Sequence, residues 1–117
     1  MYNLKSGVAD DTDIARKIVY VGSAGAVAIQ NSTVLIYGGS ATALTLGTPT
    51  SAQNGTVITF VATTAQAHTV TAGTIGFNAG NAGADVATFG GAIGDGFTVV
   101  AYEGEWYVTS NINVTLA

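Results

Sequence analysis

Short apolar runs rich in β-branched and aromatic residues recur along this chain between clusters of glycine, asparagine, serine and threonine. They read IVYV at 18–21, AVAI at 26–29, VLIY at 34–37, ALTL at 43–46, TVITFVAT at 56–63, HTVTA at 68–72, VATF at 86–89, FTVVAY at 97–102 and WYVTSNINVTL at 106–116. A strand-to-strand spacing of roughly 8 to 12 residues signals an all-β sandwich or barrel. Turn chemistry falls between the runs, where Gly38-Gly39, Asn54-Gly55, Gly90-Gly91, Gly94-Asp95-Gly96 and Glu103-Gly104 each supply a residue tolerant of positive φ. The pattern predicts one all-β domain over residues 18–117, a compact β-sandwich or jelly-roll-like β-barrel. Residues 1–17 show neither strong alternation nor a good helix. The segment DDTDIARKI could open a short helix capped by Asp11 or Thr12, and an extended N-terminal arm is the expectation instead.

Two runs say most about burial. In the last, Trp106, Val108, Ile112, Val114 and Leu116 share one face, interrupted by Ser110, which predicts a core face backed by a polar one. Around 57–62, Val57 and Val61 lie on one side and Ile58, Phe60 and Ala62 on the other, so both faces are largely apolar. Such a strand needs cover twice over, either from a second layer of the same chain or from another subunit. Val57, Ile58, Phe60, Tyr102, Trp106 and Tyr107 are accordingly candidates for the core or for an oligomer interface. Glu103-Gly104 predicts a tight hairpin between strands ending at Tyr102 and beginning near Glu105. The glycine-rich stretch 74–96 predicts loops around the short strand 86–89.

Charge divides the chain. After Lys17 there is no lysine or arginine, and the last hundred residues carry only Asp85, Asp95, Glu103 and Glu105. With 9% charged residues and a net charge of −4, the body lacks the cations that phosphate neutralisation requires, so no nucleic-acid partner is expected. A bland surface of this kind suits packing against other protein, since few charges oppose burial. Mean hydropathy is +0.43, yet the apolar runs are short and interrupted, so no membrane partner is expected either. The acidic N-terminal residues stand where a signal peptide would have its apolar region, and no secretory export is predicted. Without cysteine, the chain forms no disulfide and stability must come from packing.

Reactive chemistry is thinly represented. The single histidine, His68 in AQAHTVTA, has no neighbouring carboxylate in sequence and reads as a strand-end residue in a structural hydrogen bond. A hydrolase on this scaffold would need a carboxylate within hydrogen-bond reach of it. Asp10, Asp11 and Asp13 suggest a hard cation only weakly, since they miss the EF-hand spacing and its closing glutamate. Glu103 and Glu105 share one side of a hairpin tip and read as solvated. The glycine-rich run has no phosphate-loop lysine. No catalytic residue, metal or cofactor is expected. Trp106, Tyr107, Tyr102 and Phe97 form an aromatic cluster that reads as core in preference to a base- or sugar-stacking platform.

The segments NGTVITFVATTAQAHTVTA and ATFGGAIGDGFTVVAYEGEWYV resemble a module of small structural proteins in tailed bacteriophages, the head-decoration (cement) proteins and related head fibres. The resemblance covers about residues 41–117: a strand, AHTVT, a glycine-rich loop, a T-F-x-x-x-x-G-D stretch and a strand ending in G-x-W-Y-V. It implies a non-enzymatic, β-rich homotrimer on the capsid exterior, made in the host cytoplasm, that binds the major capsid protein and stabilises the lattice. Lys5, Asp13, Arg16 and Lys17 are the candidate capsid-docking residues, on an arm that could add as a strand to a capsid sheet edge. The alternative is a fibre or tail-associated module that binds a host receptor or glycan.

Overall fold

The computed structural model describes residues 16–73, 75–78 and 82–117. Ten strands form two five-stranded mixed sheets that share one apolar core, with two short 3₁₀ turns at Ser51–Gln53 and Ala82–Ala84 as the described helical structure. The strands are β1 (Lys17–Val21), β2 (Gly25–Val27), β3 (Ser32–Ile36), β4 (Ala43–Leu46), β5 (Val57–Ala62), β6 (Thr69–Thr71), β7 (Val86–Phe89), β8 (Gly96–Tyr102), β9 (Glu105–Ile112) and β10 (Val114–Leu116). The first sheet has the order β1-β3-β5-β8-β9 and the second β10-β7-β6-β4-β2.

The chain alternates between the sheets. β1, β3 and β5 pair in parallel in the first sheet, while β2, β4 and β6 pair in parallel in the second. The first six strands therefore make three stacked coils. Ser32 pairs with Ile58 and Ala43 with Thr69, the same displacement of 26 residues in both sheets. β8 then runs antiparallel to β5 and β7 antiparallel to β6, and β9 and β10 complete the two sheets. A sandwich fits the sequence expectation. Parallel coils replace the hairpin-linked antiparallel sheets of a jelly roll, because side-chain alternation fixes which face a residue takes and not which strand lies beside it.

Ile58, Phe60 and Ala62 of β5 are fully buried, and Phe60 stacks on Phe97 at 5.0 Å between ring centroids. Phe77 and Phe89 meet Phe97 edge-on at 5.4 and 6.0 Å, which makes Phe97 the hub of the core. The buried Trp106 indole donates its N–H to the Gly47 carbonyl at 2.8 Å, so its one polar group is satisfied. Val57, Thr59 and Val61 point the other way and are half-buried.

The last run departs from its expected single face. The ladder pairs Val99 with Val108 but Thr98 with Ser110, leaving Thr109 as a bulge that reverses the facing of the residues after it. Ile112 consequently points outward opposite Gly96 and is exposed, not in the core. At Asn113, whose φ is +56°, the chain leaves the first sheet and enters β10 in the second. The Asn111 side chain holds this corner, accepting from the Val114 N–H at 3.0 Å and donating to its carbonyl at 2.9 Å.

Candidate functional site

Because the core takes one face of each sheet, the two outer faces are the surfaces left open to a partner. On the first sheet the register lines up Tyr20, Leu35, Val61, Gly96 and Ile112 across all five strands. Every side chain in this outward row is apolar or aromatic, and its ends, Tyr20 and Ile112, are 68% and 64% exposed. The neighbouring row holds Ile18, Thr33, Thr59, Thr98 and Ser110. Thr59 and Thr98 share a hydrogen bond at 3.0 Å between their hydroxyls, and Arg16 Nη1 donates to Thr59 Oγ1 at 2.8 Å. The second sheet's outer face carries Ala43, Thr45, Thr69, Thr71, Thr88 and Thr115, again without charge.

The hairpin separates the aromatic cluster. Trp106 and Phe97 enter the core, whereas Tyr102 and Tyr107 lie on the outer face with ring centroids 6.4 Å apart. Glu103 and Gly104 have φ of +49° and +79°, the two positive values of a type I′ turn. Asn54 clamps that turn, accepting from the Glu103 N–H at 2.7 Å and donating to its carboxylate. Glu103 is exposed at the tip, as expected, and is held there by Asn54, whereas Glu105 departs from the expectation, its Oε1 buried without a hydrogen-bond partner.

Lys17 opens β1 at the first sheet's edge, whereas the Arg16 guanidinium reaches across the outer face to Thr59 on the central strand β5. Glu103 and Glu105 sit at the opposite, β9 edge. The candidate docking residues Lys5 and Asp13, the Asp10–Asp13 cluster, the helix alternative and most of the expected arm lie outside the described residues. No cluster of metal-ligating side chains occurs among the described residues, and no described helix is long and apolar enough to cross a membrane.

His68 is fully buried and acts as a clamp between coils. Its Nδ1 accepts from the Thr42 N–H at 3.0 Å, so the ring proton resides on Nε2. Nε2–H donates to Thr64 Oγ1 at 3.0 Å, and that hydroxyl donates onward to the Gly38 carbonyl at 2.7 Å. Both ring nitrogens are thus committed to protein groups, which leaves none for acid–base work on a substrate. Burial lowers the pKa of His68 from 6.5, and a proton on Nδ1 would face the Thr42 N–H.

Below pH 6.5 the unfolded chain therefore takes up a proton at His68 that the folded chain refuses. Stability is expected to fall as pH drops through this range, at up to about 1.4 kcal/mol per unit, until the folded pKa is reached. Urea unfolding of the wild type and His68→Gln between pH 7.5 and 5 checks this: the variant should lose that part of the slope. Parallel curves would remove His68 as the cause.

No protein-family model matches the chain, and no curated protein matches its sequence.

Proposed function

We propose that this chain is a structural virion protein, a decoration protein that binds the outside of a tailed-phage head as a homotrimer and reinforces the capsid lattice. The observation that carries the reading is the apolar row across the first sheet's outer face, with Ile18, Tyr20 and Ile112 exposed on a surface nearly free of charge. A contiguous apolar patch on a soluble domain marks a surface that another protein covers. Cementing requires extensive contact and no bond-breaking chemistry, which is also what the resemblance over residues 41–117 implies. Residues 1–17 are the arm proposed to reach the capsid subunit, and its last residue, Lys17, opens the edge strand β1.

The test is co-sedimentation of the full chain with undecorated capsids. Binding is expected, and deletion of residues 1–15 should weaken it about tenfold or more, a loss of roughly 1.4 kcal/mol or greater. Failure of the full chain to co-sediment sinks the decoration reading, and undiminished binding by the deletion sinks the docking role of the arm. A second reading, a fibre or tail-associated adhesion module, draws on the stacked coils and on exposed Tyr20, Tyr37 and Tyr102. It gains first place if the chain ignores capsids and binds host cells or glycans in competition with soluble sugars.

A further inference from the structure

We infer that Asn54 is a covalent modification site. Its side-chain amide is converted to a carboxylate through attack by the Gly55 nitrogen, at a rate set by opening of the clamp between Asn54 and Glu103. The site is independent of the capsid reading, since the step requires water alone.

Sequence supplies the reacting pair. Asn54 is the one asparagine of this chain that precedes a glycine. Asn31 precedes Ser32, Asn111 precedes Ile112 and Asn113 precedes Val114, each with a side chain crowding the attacking nitrogen. Asn54 and Gly55 are both exposed, and a Cβ at Gly55 would meet nothing within 4 Å, so water and a solvent base reach the Gly55 nitrogen from open space. The backbone freedom of glycine lets the chain bend until that nitrogen meets Asn54 Cγ.

In the step, the Gly55 nitrogen gives its proton to a solvent base and bonds to Asn54 Cγ. The bond from Cγ to Nδ2 breaks, and the amide nitrogen takes up a proton and leaves as ammonia. Water then adds to either carbonyl of the resulting succinimide ring, which opens to aspartate or to isoaspartate. The sum consumes water, releases ammonia and changes no oxidation state.

The fold restrains each participant. The Gly55 N–H donates to the Ala101 carbonyl at 2.8 Å, so the nucleophile is occupied. Asn54 Oδ1 accepts from the Glu103 N–H at 2.7 Å while Nδ2 donates to the Glu103 carboxylate, which fixes the amide plane from both ends. Attack therefore waits for local opening of this exposed turn. Once converted, position 54 presents a carboxylate to Glu103 and has no N–H left to donate from its side chain. Like charges replace a charge-assisted hydrogen bond, and the clamp no longer recloses. The modification is thus a one-way release of the β8–β9 turn from the segment that leads into β5.

Peptide mapping by mass spectrometry, on the full chain aged in mildly alkaline buffer and with aspartate and isoaspartate separated, tests the inference. Asn54 is expected to convert ahead of Asn31, Asn111 and Asn113, to both products, and at least about tenfold more slowly than in the urea-unfolded chain. Glu103→Ala should raise the folded-state rate about tenfold, the factor that loss of a charge-assisted hydrogen bond sets on opening. Glu103→Gln, which keeps a neutral acceptor, should raise it less; circular dichroism confirms that each variant is folded. Thermal melts read the consequence: Asn54→Asp should lower the midpoint by about 4 °C or more, and by clearly less in the Glu103→Gln background, where no charge opposes the new carboxylate. Conversion of Asn54 no faster than that of the other asparagines, equal rates in the folded and unfolded chains, equal rates in the wild type and Glu103→Ala, or the same midpoint shift in both backgrounds would each overturn the inference.

Discussion

Gly96→Ala is expected to cost about 3 kcal/mol or more of unfolding free energy, at or beyond the upper end of ordinary overpacking. A Cβ at this position would stand 2.1 Å from the Phe60 carbonyl oxygen and 3.1 Å from its carbonyl carbon. Those are backbone atoms of β5, paired with β8 at the centre of the first sheet, and no rotamer change relieves the contact. The two strands must part, which disturbs the Phe60–Phe97 stack beneath them. Gly39→Ala is the control, since its Cβ would meet nothing within 4 Å, and its change should stay within about 0.5 kcal/mol. Urea midpoints at pH 7.5 measure both. Equal midpoints for the two variants would mean that the close approach of β5 and β8 is not a feature of the folded protein.

Trp106→Ala carries the other large effect, about 3–5 kcal/mol. Trp106 is fully buried, and its backbone lies opposite Ala101 in the hairpin ladder and forms an isolated parallel β-bridge with Phe77. Truncation leaves a large cavity and also strips the Gly47 carbonyl of its donor. Domains are stable by about 5–15 kcal/mol in all, so this one change brings a small sandwich near its unfolding threshold. Trp106→Phe refills much of the cavity and should recover most of the loss, short of about 1 kcal/mol for the hydrogen bond. Thermal melts followed by far-ultraviolet circular dichroism distinguish the three proteins. A Trp106→Ala loss below about 1 kcal/mol would contradict the anchoring role.

The strands were legible in the sequence because alternation and turn residues are local. The run TVITFVAT declared its two faces, and the structure places Ile58 and Phe60 in the core and Val57 and Val61 outside. The Glu103-Gly104 turn was equally local, and it determines that Tyr102 and Tyr107 face out while Trp106 faces in. Pairing was not legible. Nothing in VLIY or TVITFV states that the first lies parallel to the second, with a strand of the other sheet between them in sequence. A weak internal echo, Val34-Leu35-Ile36 with Thr45 against Phe60-Val61-Ala62 with Thr71, was the available sign of stacked coils. The Thr109 bulge escaped because one added residue reverses a face without altering composition, and so Ile112 read as core. Arg16 reaches Thr59 across 43 residues of sequence, and Glu105 acquires its buried oxygen only in the folded chain. Both features are therefore products of topology.

The alternation of coils between two sheets also bears on how the molecule is made. Among the ladders, β8–β9 joins neighbours in sequence through a two-residue turn, whereas the parallel pairs connect strands with an element of the opposite sheet between them. Closing such long loops before any reward makes parallel stacking slow, and the local hairpin is the natural nucleus. That hairpin follows β1 to β6 in sequence, so the coils leave the ribosome before it. The coils formed by β1 to β6 thus wait for Phe97 and Trp106 before their shared core can close. In the interval the nascent apolar strands are exposed to aggregation, and yield on overexpression should depend on chaperone capacity more than on the final stability of the sandwich.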